Sequence, residues 1–405
     1  MTTIVLVIFC LVYLGLIAGA LPGLALDRSG IALLGAIALV SLGVMTPEAA
    51  WSAIDVPTIA LLFGLMVVSS QFRLSGFYAA LSSRYARAGW SPERLLLVLI
   101  VTSGVLSAVL VNDIVCLALA PIVIEIATAR RFDPVPFLLG VAAGSNVGSA
   151  ATLIGNPQNM LIGQQLDLSF SAYLATAGPV AIVGLGVTWW VIARRYRGRF
   201  KRETKPFVAE KSSFDVWQTS KGVVVLLLVI AAFLFGPWPR ENVALTAAGV
   251  MLLSRKLASS RFMGLIDWSL LIMFVGLFVV HHALEITGLG DRALAASAAR
   301  GADLAHPGVL FAATALLSNL VSNVPAVMLL LPAAKHPLAG PILALSSTLA
   351  GNLLLVGSIA NLIVVEQAAR LGIKITWRDH ARVGVPITLI TLAIAVAWLG
   401  LVANQ

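Results

Sequence analysis

Long apolar segments alternate with short polar stretches along the whole chain. In the first half they lie near residues 4–21, 30–44, 56–70, 95–111, 114–127, 137–162 and 172–192. About 20 consecutive apolar residues are enough for a helix to cross the hydrocarbon core of a bilayer. The pattern therefore predicts an all-α polytopic membrane protein.

Two of the apolar segments are interrupted by residues that do not suit a continuous membrane helix. The segment 137–162 contains Gly155, Asn156, Pro157, Gln158 and Asn159, and the segment 343–365 contains Gly357, Ser358 and Asn361. Unpaired backbone groups are costly in hydrocarbon, so such a break survives only where protein or a polar cavity surrounds it. A kinked helix whose amides bind neighbouring helices would explain a single break. Two breaks at corresponding positions instead favour the binding site of a transporter.

The second half of the chain repeats the polar positions of the first half in the same order. Asp55 recurs as Asp267 after 212 positions, Ser107 as Ser318 after 211, and Asn159 as Asn361 after 202. Because the order is kept while the separation drifts, one structural unit is duplicated and only its loops differ in length. We expect a first repeat over residues 1–205, a cytoplasmic linker over 206–220 and a second repeat over 221–405.

Each repeat is expected to contain five transmembrane helices, a broken helix and a re-entrant helical hairpin, with the hairpins near residues 95–127 and 309–332. An odd number of crossings makes the two repeats inverted relative to each other. This arrangement places 23 of the 27 Lys and Arg residues on one face, which the positive-inside rule identifies as cytoplasmic. Fully crossing hairpins would instead scatter the basic loops over both faces. The basic loop 193–221 is therefore predicted to be cytoplasmic, and both termini to lie outside.

Composition narrows the class of protein further. Of the 405 residues 59% are hydrophobic and 11% are charged, whereas about a quarter of the residues of a soluble domain are charged. The net charge of +9 comes from loop residues that suit membrane topology, so we expect the bilayer and no nucleic acid as partner. Both cysteines lie in apolar segments, and the sequence contains neither a phosphate-binding loop nor a His-Glu-x-x-His motif. We therefore expect neither an enzyme nor a bound cofactor.

Polar residues at the hairpin tips and at the two breaks are expected to form one central site. Such elements bring free N–H groups, carbonyls and amide oxygens to the middle of the bilayer, where they can bind an ion or a small solute. Asn112 and Asn323 could also hold sodium. The candidate binding residues are Asn112, Asp113, Thr152, Gly155, Asn156, Asn159, Ser322, Asn323, Gly357, Ser358 and Asn361.

Asp113 is the one carboxylate that the sequence places near the middle of the membrane. Burying an ionised group there costs on the order of 3 kcal/mol, so its presence suggests a functional role. We predict that Asp113 couples transport to a proton or another cation. The alternative is that its side chain only caps the second helix of the hairpin. His281 and His282 are interpreted as packed or interfacial histidines.

Motifs at both hairpins and both breaks recur in a known family. They are Asn112-Asp113 with Leu119-Ala-Pro-Ile-Val-Ile124, Thr152-Leu-Ile-Gly-Asn-Pro-Gln-Asn159, Leu317-Ser-Asn-Leu-Val-Ser-Asn-Val-Pro-Ala326, and Leu349-Ala-Gly-Asn352 with Gly357-Ser-Ile-Ala-Asn361. Nearly the whole chain resembles the ArsB/NhaD ion transporter superfamily, in particular a bacterial anion-permease branch related to arsenite permeases and divalent anion/sodium symporters. The resemblance implies an elevator-type transporter of the bacterial inner membrane, often a homodimer, in which a domain with the hairpins slides against a scaffold.

The hairpin tips also bear on the substrate. The dicarboxylate branch carries Ser-Asn-Thr at both tips, whereas here Ser322-Asn323 is followed by Val324 and the first tip reads Val111-Asn112-Asp113, which is similar to the arsenite-permease pattern. The leading hypothesis is a proton-coupled secondary active transporter of a small inorganic or organic anion, with an arsenite-like oxyanion favoured. Alternatives are a sodium-coupled dicarboxylate, citrate or sulfate symporter, a sodium/proton antiporter, and a channel.

Overall fold

The computed structural model describes residues 1–19, 25–201 and 214–404, and within these ranges the chain forms twenty α-helices. The first ten are α1 (Thr2–Ala18), α2 (Arg28–Ser41), α3 (Pro47–Ser52), α4 (Val56–Leu74), α5 (Phe77–Arg87), α6 (Pro92–Val109), α7 (Asn112–Ala129), α8 (Pro134–Ser149), α9 (Pro157–Gln165) and α10 (Phe170–Arg195). The second ten are α11 (Val216–Phe235), α12 (Arg240–Leu252), α13 (Ser259–Met263), α14 (Trp268–Ile286), α15 (Leu289–Ala299), α16 (Pro307–Val321), α17 (Asn323–Leu330), α18 (Ala339–Ala350), α19 (Ile359–Arg370) and α20 (Trp377–Val402).

Seven helices in the described part of the chain are long and apolar enough to cross a membrane, judged by length and composition. They are α4, α6, α7, α10, α11, α14 and α20. The predicted helical fold class with several candidate membrane spans is confirmed. The last helix of each set of ten, α10 and α20, has 26 residues with a proline at the tenth, Pro179 and Pro386.

Aspartates start the helices α4 and α14 in the same way. A carboxylate oxygen of Asp55 accepts a hydrogen bond from Thr58 N at 2.8 Å, and one of Asp267 accepts from Leu270 N at 2.9 Å. Each contact satisfies one of the backbone donors that a helix start leaves free. The two aspartates therefore mark where both helices begin.

Two glycines bring helices of the first ten into backbone contact with helices of the second ten. Helix α4 packs on α12, and α14 packs on α2. A Cβ atom on Gly64 would lie 2.6 Å from the carbonyl carbon of Ala244, and one on Gly276 would lie 2.5 Å from that of Ala32. Neither position has room for a side chain, so the two contacts set the distance between these helices.

A second group of helices contains both predicted hairpins and both predicted breaks. Helix α6 packs on α8, where a Cβ atom on Gly148 would lie 2.2 Å from Gly104 O. Helix α16 packs on α18 in the other half, α7 packs on α19, and α10 packs on α20. The hairpins and broken helices of both halves thus form one packed unit.

The boundaries differ from the predicted ones at several points. The first hairpin consists of α6 and α7 and extends beyond the predicted range 95–127 at both ends, and the second consists of α16 and α17 followed by a short 3-10 segment, Leu331–Ala333. The breaks separate α8 from α9 and α18 from α19. Residues 216–220, predicted as part of the linker, are the first turn of α11, where Asp215 caps the helix. Residues 206–213 of that linker and 202–213 of the basic loop lie outside the described residues.

The close contact at Gly64 yields a stability prediction. Replacing Gly64 with Ala should lower the free energy of unfolding by about 1–3 kcal/mol, because the new methyl group forces α4 and α12 apart. The midpoint of thermal unfolding in detergent measures this effect. Gly249→Ala on α12 is the matched control, since a Cβ atom there meets nothing within 4 Å. Equal midpoints for the two variants would contradict the backbone contact.

Candidate functional site

Two asparagines close the two breaks in the same way. The Asn159 side-chain nitrogen donates to the carbonyls of Thr152 (2.9 Å) and Ser149 (3.4 Å) across the first break. The Asn361 side-chain nitrogen donates to those of Gly351 (2.9 Å) and Leu354 (3.4 Å) across the second. Each asparagine supplies a donor to carbonyls that a continuous helix would have paired.

Polar side chains also join the two breaks to each other. The Ser358 hydroxyl donates to Asn146 Oδ1 at 2.8 Å, and the Asn156 amide donates to Thr348 Oγ1 at 3.2 Å. Asn146 Nδ2 reaches Asn361 Oδ1 at 3.2 Å, and Thr348 Oγ1 reaches Asn159 Oδ1 at 3.4 Å. The list of candidate residues omitted Asn146 and Thr348. The 202-position offset that relates Asn159 to Asn361 also relates these two residues, and it is the signal that would have found them.

Two residues from the long helices α10 and α20 complete this network. The Tyr173 hydroxyl donates to Ala150 O at 2.8 Å, directly after α8. His380 Nε2 lies 3.0 Å from Asn352 O, two residues after the end of α18. At each break, therefore, a polar side chain of a neighbouring long helix contacts a carbonyl just beyond the end of the interrupted helix.

The tip of the first hairpin lies against the first break. Asn112 N donates to Gly155 O at 3.1 Å, and the Thr152 hydroxyl donates to Ala108 O. A Cβ atom on Gly155 would lie 2.3 Å from Ser149 O and 2.7 Å from Ser107 O. Glycine is required there because the backbone of the break touches the hairpin.

The tip of the second hairpin lies against the second break. Ser322 has a φ of 78° and is the single residue between the end of α16 at Val321 and the start of α17 at Asn323. We orient the Asn323 amide so that its nitrogen faces Gly357 O (3.3 Å) and Ser347 O (3.2 Å), and its oxygen accepts from Gln158 (3.1 Å). Gln158 belongs to the first broken helix, so this tip contacts both breaks.

Asp113 lies in the first turn of α7 and is 8% exposed. The residue at the N-cap position is Val111, with no side-chain cap, so the alternative that Asp113 is the helix cap is wrong. The helix begins earlier because Val111 N donates to Ser69 Oγ at 3.1 Å and Asn112 N is held by the first break. The Asp267 carboxylate at the start of α14 acts on Asp113 electrostatically.

One polar atom at this tip has no partner. Asn112 Oδ1 is buried and accepts no hydrogen bond. A buried acceptor without a partner costs about 1–3 kcal/mol, which a bound cation or donor would relieve. In the described part of the chain, no group of three or more His, Cys, Asp or Glu side chains could hold a metal ion.

A cavity of about 390 Å³ opens beside the second hairpin tip. Ser322, Arg28, Asp27, Asp267 and Ser269 line it, together with apolar residues of α1, α14 and α19. None of the hydrogen bonds described above for the two breaks and tips involves Lys or Arg, whereas Arg28 lies at this cavity. The described residues thus form a polar, mostly uncharged centre. The cavity beside it is lined by the charged side chains Arg28, Asp27 and Asp267.

This combination defines a membrane transport protein, in which helical hairpins and broken helices surround a polar centre. Comparison with known proteins agrees. Residues 4–341 match the family described as "Citrate transporter", and the chain belongs to this family. The resemblance to the ion transporter superfamily is thereby confirmed.

Named relatives are also transport or membrane proteins. The chain is 31% identical over 345 residues to inner membrane protein YbiR of Escherichia coli (82% of this chain, 85% of YbiR). It is 28% identical to the silicon efflux transporter LSI3 of Oryza sativa subsp. japonica (94% of each chain). Among solved structures it resembles the YdaH transporter of Alcanivorax borkumensis, with a TM-score of 0.59, 15% identity and 98% of each chain covered. That structure supports the fold alone.

The bridging asparagines yield a second stability prediction. Replacing Asn361 with Ala should destabilise the protein by about 1–3 kcal/mol, because the carbonyls of Gly351 and Leu354 lose their donor inside the molecule. Thermal unfolding in detergent, with the exposed Asn404→Ala as control, measures the difference. An unchanged midpoint for Asn361→Ala would show that water or another group pairs these carbonyls equally well.

Proposed function

We propose that this protein is a secondary active transporter that moves a small oxoacid or oxyanion, uncharged or singly charged, across the bacterial inner membrane in a proton-coupled cycle. The observation that carries the proposal is the group of amide and hydroxyl side chains that joins the two breaks, with Asp113 at the tip of the first hairpin. Such groups donate and accept hydrogen bonds without supplying a full positive charge. Half-helix ends contribute only about half an elementary charge each, so an unaccompanied dianion would be poorly stabilised there.

The relatives support a small oxoacid as substrate. One is named a silicon efflux transporter, and dissolved silicon is a hydroxylated acid that is mostly uncharged at neutral pH. Arsenous acid has the same character, which fits the arsenite-like pattern of Asn112-Asp113. The family is named for citrate, a polyanion that would need bound cations or a protonated Asp113 at this centre.

Recurring contacts support two inverted repeats. Gly64 meets Ala244 as Gly276 meets Ala32, and the glycine and alanine positions both differ by 212. The Ser358–Asn146 and Asn156–Thr348 bonds recur after exchange of the two halves. A two-fold axis would interchange such contacts, and in transporters it relates repeats around a central site.

The two sides of the molecule that the proposed axis would interchange differ, which supports alternating access. On one side Arg240 donates to Gly163 O (3.1 Å) and pairs with Asp167 (3.5 Å), and Gln164 donates to Glu241 (2.9 Å). On the other side the counterpart of Arg240 is Arg28, whose Nε is buried without a partner beside the 390 Å³ cavity. In this state, therefore, the contacts at Arg240 are formed and their counterparts at Arg28 are open. By the basic-residue distribution the open side is cytoplasmic.

The same offsets identify the contacts of the opposite state. Gln164 corresponds to Glu366 and Glu241 corresponds to Ser29, so these two should meet when the Arg28 side closes. In the present state Glu366 pairs with Arg370 at 2.6 Å instead. We propose that the unit with the hairpins and breaks slides between these two sets of contacts, as in an elevator-type cycle.

Paired cysteines test this cycle. In a background without Cys10 and Cys116, the pair Gln164→Cys with Glu241→Cys should crosslink in the present state. The pair Ser29→Cys with Glu366→Cys should crosslink only after the Arg28 side closes. Each crosslink should reversibly block transport in proteoliposomes. Absence of the second crosslink under all substrate and pH gradients would contradict the proposed movement.

Replacing Asp113 with Asn tests the coupling. The variant should fold and exchange substrate across proteoliposomes, but lose accumulation driven by a pH gradient, because residue 113 can no longer bind and release a proton. Arsenite and silicic acid are the probe substrates, citrate is the comparison, and the exposed Glu48→Gln is the control. Uphill transport by Asp113→Asn at the wild-type rate and pH dependence would rule out this coupling role.

Sodium coupling is the second candidate, because the partnerless Asn112 Oδ1 is next to a carboxylate. Oxygen ligands of this kind suit a hard cation. The same vesicles distinguish the candidates: accumulation driven by a sodium gradient alone, and lost in Asn112→Ala, favours sodium. Accumulation against any gradient rules out a channel.

A further inference from the structure

A buried chain of hydrogen bonds ties the second hairpin to helices α1 and α14. The Tyr13 hydroxyl donates to Pro325 O at 3.0 Å, in the first turn of α17. The same hydroxyl lies 2.6 Å from His281 Nε2 on α14. Tyr13 is buried and stacks on Phe9. The hairpin tip is thus held through Tyr13 by a histidine.

The proton count assigns the tautomer of His281. The single Tyr13 hydroxyl proton goes to Pro325 O, which has no proton to offer. We therefore assign the tautomer in which the Tyr13 oxygen accepts from Nε2–H of His281, and Nδ1 is the ring atom that can take up a proton. Protonation at Nδ1 keeps the whole chain of bonds. It makes the bond to Tyr13 charge-assisted, and a stronger bond to the Tyr13 oxygen polarises its O–H toward Pro325.

The corresponding position of the first half makes a corresponding contact. His281 is the fourteenth residue of α14, and Ser69 is the fourteenth residue of α4. Ser69 Oγ accepts from Val111 N at the tip of the first hairpin. Helices α4 and α14 therefore both hold a hairpin tip from the same position, but only α14 does so with an ionisable side chain.

His281 has space around it for proton exchange and a candidate counter-charge. It lines two cavities, of about 610 and 230 Å³, and Glu285 lines both. Glu285 now lies 3.5 Å from His282 Nδ1, and it is one helical turn from His281, within reach of a protonated ring. The other titratable or charged groups on these cavities are Cys10 of α1 and Asp291 and Arg292 of α15; the described residues of α9, α16 and α17 there are uncharged.

We propose that His281 is a second proton-binding residue of the transport cycle, which holds the second hairpin against α1 when protonated and lets it move when neutral. The role of His281 in a transport cycle rests on the proposed transport function. The link itself can be tested without any substrate.

The test measures access to the second hairpin tip as a function of pH. In protein without Cys10 and Cys116, Ser322→Cys is labelled in proteoliposomes by a methanethiosulfonate reagent, and each rate is divided by the rate for denatured protein at the same pH. Labelling should be about fivefold slower at about pH 4 than at about pH 8, the equivalent of roughly 1 kcal/mol for a charge-assisted bond. His281→Gln and Tyr13→Phe should each abolish this difference and give the faster rate at both pH values.

Three comparisons make the result decisive. His282→Gln should keep the fivefold difference, because His282 has no link to the hairpin. Glu48→Gln should also keep it, since Glu48 is exposed in the first turn of α3. Tyr13→Phe retains the ring stack, and a monodisperse profile in detergent verifies that it folds. An unchanged pH difference in folded Tyr13→Phe or His281→Gln would overturn the proposal. Failure of wild-type vesicles to accumulate arsenite or silicic acid, with the labelling result intact, would overturn only the proposed substrate.

Discussion

A peptide group that is shielded from water needs a hydrogen-bond partner, and this molecule breaks two helices among buried residues. Asn159 and Asn361 each supply a donor across their own break, while Asn146 and Thr348 reach from one break to the other. The side chains that repair the backbone are themselves polar and buried. A centre with hydrogen-bonding capacity therefore follows from the need to stabilise the breaks.

Local chemistry explains why the breaks and hairpins could be predicted from the sequence. Gly155 with Pro157, and Gly357 with Ser358, are incompatible with continuous membrane helices, and Asn-Asp or Ser-Asn marks a turn between apolar segments. Asn146 and Thr348 were missed because they lie inside regular helices, where one polar residue carries no local signal. Only the internal repeat could have revealed them.

Long-range contacts were the other limit of sequence reasoning. Val111 N and Asn112 N find acceptors on α4 and at the first break, so α7 starts before Asp113 and leaves that carboxylate free of a capping role. Asp267 approaches Asp113 only through the tertiary fold. The Tyr13–His281 contact joins residues 268 positions apart, and the histidine that sequence reasoning interpreted as packing is linked to a hairpin tip.

The reciprocal glycine contacts have a consequence for how the protein is made. Helix α4 receives its close partner only when Ala244 emerges from the ribosome, 180 positions after Gly64. At 5–20 residues per second this takes roughly 10 to 40 s. During that interval the face of α4 that carries Gly64 lies in the membrane without its partner, and it has to remain apart from other small-residue helix surfaces. Insertion of the second half is then what completes the first, so a chain truncated before α12 would leave an adhesive helix face for the quality-control proteases of the membrane.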